Sequence, residues 1–205
     1  MSDRNKIILS KYIPEGSVDI IIQWIEEYRF LLKITKSRQS KLGDYTHPYK
    51  GKPHKITVNH NLNKYFFLII LVHEIAHLTC YRKYSKNILP HGQEWKSEFN
   101  FHMKYFLEMN IFPEELNNYM KLYSVSPSAA SCTDVRLLKI LKKYDDPSDY
   151  IHLEELNENQ IFSLRDSRRY IKGKKLRKRF LCTEIGTGKK FLISPVADVI
   201  RESLF

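Results

Sequence analysis

Over residues 17–33 the apolar side chains Ile20, Ile21, Trp24, Ile25, Phe30 and Leu31 recur at roughly helical spacing. A stripe of that period buries one face of a helix, and Ser17 is placed to cap it. A helix is therefore predicted over 17–33. Residues 36–50 are polar and hold Gly43, Asp44 and Pro48, with Ile34 and Leu42 close by, which predicts short strands or a hairpin. Lys55-Ile56-Thr57-Val58-Asn59 alternates polar and apolar side chains, the pattern of a half-buried strand. Such a strand can offer an edge to an extended peptide.

Every residue over 65–72 is apolar. A helix apolar all round is a buried one, so a central helix is predicted over 64–82, capped by Asn61 or Asn63. A polar loop follows over 83–90. The next helix spans 92–109 and buries Trp95, Phe99, Met103 and Phe106. Pro113 opens a short helix ending near 123, residues 124–131 read as loop, and Asp134 caps a helix through Leu137, Leu138 and Leu141. After Asp146 the texture changes. Short strands are predicted over 161–164, 169–171, 179–184 and 190–193, with Gly173, Gly186 and Gly188 between some of them. The expected class is α+β: residues 1–145 form helices packed with a short antiparallel sheet, and residues 146–205 form a small, basic β-rich appendage.

Composition narrows the setting. The chain has 205 residues, enough to bury a core without disulfide staples. Its cysteines, Cys80, Cys132 and Cys182, are odd in number and form no C-x-x-C pair. That excludes a disulfide framework and a zinc ribbon and favours a reducing compartment. The N-terminal residues lack a signal-peptide h-region, and the run over 65–72 is shorter than the roughly 20 residues of a membrane span. The expected location is the cytoplasm, with no membrane partner. A net charge of +11 favours contact with polyanions.

The central helix carries His73-Glu74-Ile75-Ala76-His77. Histidines four apart share a helix face and can chelate one ion. Glu74, next to the first ligand, is turned toward the cleft and suits a catalytic base. Two histidines and a glutamate in the most apolar helix are expensive to bury without partners, and a zinc ion with bound water suits all three. A chance H-E-x-x-H in a chain this long arises on the order of 1% of the time. The metzincin pattern needs a glycine and a histidine where Cys80 and Lys83 stand, so that class is excluded. A thermolysin-type third ligand would be Glu94 or Glu98. His91 is the better candidate, since the loop before it is long enough to fold it back over the motif. Cys80 shares the helix face of His73 but reads as a core residue. His47 and His102 read as surface or core histidines.

His73-Glu74-Ile75-Ala76-His77 followed by His91-Gly92-Gln93-Glu94-Trp95 resembles the SprT-like zinc metalloproteases, which pair H-E-x-x-H with H-G-x-E-aromatic. Lys41-Leu42-Gly43-Asp44-Tyr45 and Ile56-Thr57-Val58-Asn59 also look like the part of that domain preceding its metal helix. The resemblance covers residues 15–125. It implies a minimal zincin fold over 1–145, one zinc ion held by His73, His77 and His91, catalysis by Glu74, and a protein substrate. Relatives that degrade proteins crosslinked to DNA make DNA, single-stranded or damaged, the implied partner, near the nucleoid. Many members carry a cysteine-ligated ribbon after the protease domain, and here Cys132 and Cys182 cannot build one.

The appendage has its own signal. Arg165, Arg168, Arg169, Lys172, Lys174, Lys175, Arg177, Lys178 and Arg179 crowd a segment with Asp166 as its one acid and Phe162, Tyr170 and Phe180 among or beside them. Positive charge with aromatics on strands suits phosphate contact and base stacking. Arg168, Arg169, Lys172, Lys174, Lys175, Arg177, Lys178 and Arg179 are the expected nucleic-acid contacts. Three functions fit: a zinc endopeptidase held near nucleic acid, a zinc-stabilised nucleic-acid-binding protein with little or no proteolysis, and a hydrolase of a non-peptide substrate.

Overall fold

Residues 3–38, 40–84, 89–127, 134–146 and 149–202 are described by the computed structural model. The chain divides into two units, Met1–Asp145 and Asp146–Phe205. Cys132 lies outside the described residues, as do half of the loop expected over 83–90 and part of that over 124–131.

The first unit starts with helix α1 (Asp3–Leu9), which the pattern of apolar positions does not announce, then a 3-10 turn (Glu15–Ser17) and helix α2 (Val18–Tyr28). Val18, Ile21, Trp24 and Ile25 form the buried stripe of α2. The helix ends short of 33. Arg29 takes the left-handed conformation, with φ 50° and ψ 52°, and strand β1 (Phe30–Thr35) follows at once. A left-handed residue at a helix end breaks the hydrogen-bond ladder. Ser17 makes no side-chain cap bond.

Strands β2 (Gly43–Thr46) and β3 (His54–Asn59) complete a three-stranded sheet in the order β1-β3-β2. β1 runs parallel to β3, with Phe30 opposite His54, and β2 runs antiparallel to it, with Gly43 opposite Val58. Two expectations are corrected here. The sheet is mixed and β1 and β2 form no hairpin, because β3 lies between them. For the same reason β3 offers no edge to a peptide; the edges are β1 and β2. Asn59 is fully buried and fastens the segment before β2, accepting from Arg38 Nε at 2.8 Å and donating to the Lys41 carbonyl at 3.0 Å.

Helix α3 (Lys64–Lys83) is the core of this unit. Asn63 caps it, its Oδ1 accepting from the Phe66 N–H at 2.9 Å. Every residue from Phe66 to Ala76 is buried, as an all-round apolar helix requires. By length and mean hydropathy α3 could cross a membrane, yet 78% of that stretch is buried inside the protein, the environment of a core helix. α3 packs on β2, β3 and helix α4 (Gln93–Glu108), which buries Trp95, Glu98, Phe99, His102, Met103 and Phe106. Helices α5 (Glu114–Tyr123) and α6 (Val135–Lys142) follow, and Asp134 caps α6 through the Leu137 N–H at 2.8 Å.

The second unit is a six-stranded antiparallel sheet: β4 (Ile151–His152), β5 (Ile161–Ser163), β6 (Arg169–Leu176), β7 (Arg179–Glu184), β8 (Lys190–Ile193) and β9 (Asp198–Arg201). Their order is β4-β9-β5-β6-β7-β8. Leu153, Leu156, Phe162, Tyr170, Cys182 and Val199 form its own small core. β4 and β9 went unpredicted: β4 has two residues, too few for an alternation, and in β9 the apolar residues Val199 and Ile200 are adjacent.

Candidate metal centre

α3 carries His73 and His77 one turn apart, and the turn before α4 carries His91. Their Nε2 atoms converge: 3.0 Å from His77 to His91, 3.1 Å from His91 to His73, and 3.3 Å from His77 to His73. A single Nε2 either bears a proton or presents a lone pair. Among three mutually close atoms at least two must therefore be alike and repel. A cation resolves the conflict by accepting all three lone pairs. Burial supports neutral rings. The pKa of His73 is pushed down to about 3 by burial, then by His77 and His91, and that of His77 to about 4 by burial and His91. Burial also lowers that of His91. Nitrogens about 2.0–2.1 Å from a tetrahedral zinc stand roughly 3.3–3.4 Å apart, so the donor set fits zinc with little adjustment. Among the described residues, these three form the one group of three or more His, Cys, Asp or Glu side chains that could hold a metal.

The site has an aromatic floor. The Trp95 ring lies 4.6 Å from His73, 4.7 Å from His91 and 5.5 Å from His77, centroid to centroid, and its Nε1 donates to the His73 carbonyl at 3.4 Å. His73 Nδ1 is buried with no hydrogen-bond partner among the described residues, so packing against Trp95 and Phe99 orients that ring. The role of Trp95 as floor was missed in the sequence, where it reads only as a buried position. Its place in the turn after His91 was the available signal.

His91 arrives by a tight turn. The Gly92 N–H donates to the Leu89 carbonyl at 2.9 Å, with Pro90 and His91 between them, and His91 has φ 57°. Proline second and a positive φ third are the marks of a type II turn, whose third position favours glycine. A histidine there is held against its backbone preference.

Glu74 is 7% exposed and lies against β2, and it stands outside the ligand group. Its pKa is pushed up to about 8, first by burial and then by Asp44, while the Tyr45 N–H bond and the charges of Lys41 and Arg38 pull the other way. A cation nearby would favour its carboxylate form.

The alternative ligands lie outside the histidine group. Glu98 is buried and accepts from Lys83 Nζ at 2.9 and 3.0 Å. Glu94 occupies the first turn of α4, where the helix dipole favours an acid. Cys80 is a core residue whose thiol pKa burial pushes up to about 12. His102 is buried between Tyr28, at 3.1 Å, and the Glu98 carbonyl, at 2.7 Å, while His47 stacks on Tyr81.

In the second unit the basic residues separate into three groups. Lys172 leaves the expected nucleic-acid set: it is buried, its Nζ donates to the Glu154 and Leu156 carbonyls, and it lies over the Phe180 ring. Arg168 pairs with Asp166 and Glu184, and Arg169 with Glu202. Lys174, Lys175, Arg177, Lys178 and Arg179 are exposed at the tip of the β6–β7 hairpin, where Leu176 faces Arg179 across a two-residue loop. Arg177, at the first loop position, has φ 50°. A position that suits glycine or asparagine thus carries a charge instead.

Comparison with protein-family models, with curated proteins and with solved structures finds no match for this chain.

Proposed function

We propose that the first unit is a zinc-dependent endopeptidase of SprT-like type, with a minimal zincin fold, His73, His77 and His91 as ligands and Glu74 as catalytic base. The observation that carries this reading is the convergence of three Nε2 atoms within 3.0–3.3 Å beside a buried glutamate of the same helix. Structural zinc sites are closed by four protein ligands, whereas catalytic ones use three. Bound zinc supplies Lewis acidity, polarising a carbonyl and acidifying water. Glu74 accepts the proton of the attacking water at its carboxylate and returns it to the leaving amine. Its seclusion from solvent suits a group that must hold a proton briefly near neutral pH. The outer edge of β2, which no other described strand pairs, lies beside Glu74 and suits an extended peptide, and this favours peptidase over other hydrolase chemistry.

The proposed substrates are proteins bound or crosslinked to DNA, in the cytoplasm at the nucleoid, with the tip cations Lys174, Lys175, Arg177, Lys178 and Arg179 as the DNA contact. The exposed tip is also what favours the second reading, a zinc-stabilised nucleic-acid-binding protein without proteolysis. Glu74→Gln separates the two. A DNA-binding protein is incubated with wild type and variant, with and without single-stranded DNA, and zinc content is measured alongside. The peptidase reading expects fragments from wild type only, with equal zinc in both. Equal cleavage by the variant overturns the role of Glu74, and absence of cleavage by either supports the second reading.

A further inference from the structure

Gly43 does not owe its identity to backbone conformation. Gly51, Gly186 and Gly188 have positive φ, and Gly43 is not among them. What it lacks is room. A β-carbon at position 43 would lie 2.6 Å from Glu74 Oε1, 2.9 Å from Glu74 Cγ and 2.6 Å from Ile70 Cγ2. Interiors packed to crystal density have no slack for such contacts. The Tyr45 backbone of the same strand favours the charged form of Glu74.

The strand is itself held in place. Asn59 ties the Arg38 and Lys41 carbonyls to β3, at 3.2 and 3.0 Å, and Lys41 pairs with Asp44 at 2.7 Å. The bare backbone of β2 therefore forms one wall of the space that Glu74 occupies, and the missing side chain at 43 leaves room for the carboxylate.

We propose that Gly43 is a positioning residue: by having no side chain it seats the Glu74 carboxylate against β2. The catalytic consequence rests on the peptidase reading; the seat itself does not. A methyl group at 43 meets Glu74 and Ile70, and Glu74 is the collision that reaches the proposed chemistry.

Two measurements on the full chain test this. In the first, thermal unfolding with a chelator present is compared for wild type, Gly43→Ala, Glu74→Ala and the double variant. The seat predicts coupling: Gly43→Ala lowers the Tm clearly less in the Glu74→Ala background, since of the two side chains it collides with only Ile70 remains. Equal losses in both backgrounds overturn the proposal. If Gly43→Ala alone does not fold, the comparison is made in an Ile70→Ala background, where Glu74 is the remaining collision, and equal losses there overturn the proposal. In the second, Gly43→Ala is assayed for zinc affinity, kcat and KM. A misplacement of about 1 Å costs roughly a hundredfold in rate, so kcat should fall by about that factor with KM and zinc affinity little changed. An unchanged kcat, or parallel loss of zinc, overturns the positioning role. Failure of the peptidase reading shows separately, as an indifferent Glu74→Gln, and leaves the unfolding comparison decisive for the seat.

Discussion

His91 Nε2 stands 3.0 Å from His77 Nε2 across fourteen residues of chain, delivered there by a left-handed residue in a tight turn. The backbone at 91 favours glycine, and the ring is crowded against two other unprotonated rings. Without metal both features oppose folding.

Replacing His91 by glycine should therefore stabilise the metal-free protein, by about 1 kcal/mol from the backbone alone. The same change should weaken zinc binding by more than the roughly 10–100-fold that loss of an outer-shell partner costs. His91→Ala removes the ring crowding but keeps the backbone strain, and should gain less than His91→Gly. Urea unfolding in chelator and competition titration with zinc measure the two effects. A metal-free His91→Gly protein less stable than wild type would refute the strain.

Acid should destabilise the metal-free fold, and the sign follows from burial. The folded pKa values of His73 and His77, about 3 and about 4, lie below the ordinary 6.5, and that of His102 is also lowered. Below pH 6.5 the unfolded chain binds protons that the folded chain refuses. The stability of these neutral rings is thus complete above 6.5 and is lost as pH falls toward the folded values. One unit below 6.5, His73 and His77 each remove about 1.4 kcal/mol. Unfolding free energy measured against pH in chelator should fall in that window, and less steeply in His102→Gln. A flat profile would contradict the burial.

The cations of the second unit should divide by function. Lys172→Met leaves buried carbonyls unpaired and should cost about 1–3 kcal/mol of that unit's stability. Its effect on single-stranded DNA affinity should be small. Arg177→Glu with Lys178→Glu should do the reverse, weakening binding and reducing its salt dependence with little change in stability. Fluorescence anisotropy over a salt series, beside thermal unfolding, reads both. Equal loss of affinity from Lys172→Met would return that residue to the nucleic-acid set.

Much of the candidate site was legible from local pattern. The spacing of His73 and His77 needs only a helix, and an all-apolar stretch makes that helix a buried one. Asn63 and Asp134 as caps follow from single-residue chemistry. What escaped depends on contacts across the chain. Phe30 and Leu31 continue the helical stripe of α2, and only the left-handed turn at Arg29 diverts them into a strand. Strand order is set by the sheet, so the central place of β3 was invisible in its alternation. Lys172 reads as one more cation in a basic run, because the carbonyls that bind it come from residues 154 and 156. Glu98 and His91 were rivals until Lys83 was seen to occupy Glu98.

The core helix of the first unit is also the bearer of His73, Glu74 and His77. Any chain that fails to bury α3 also fails to assemble its ligands, and a chain that has assembled them has already built most of its interior. Zinc content per mole of purified protein would then count correctly folded molecules, giving preparations of this protein an internal gauge of folding yield.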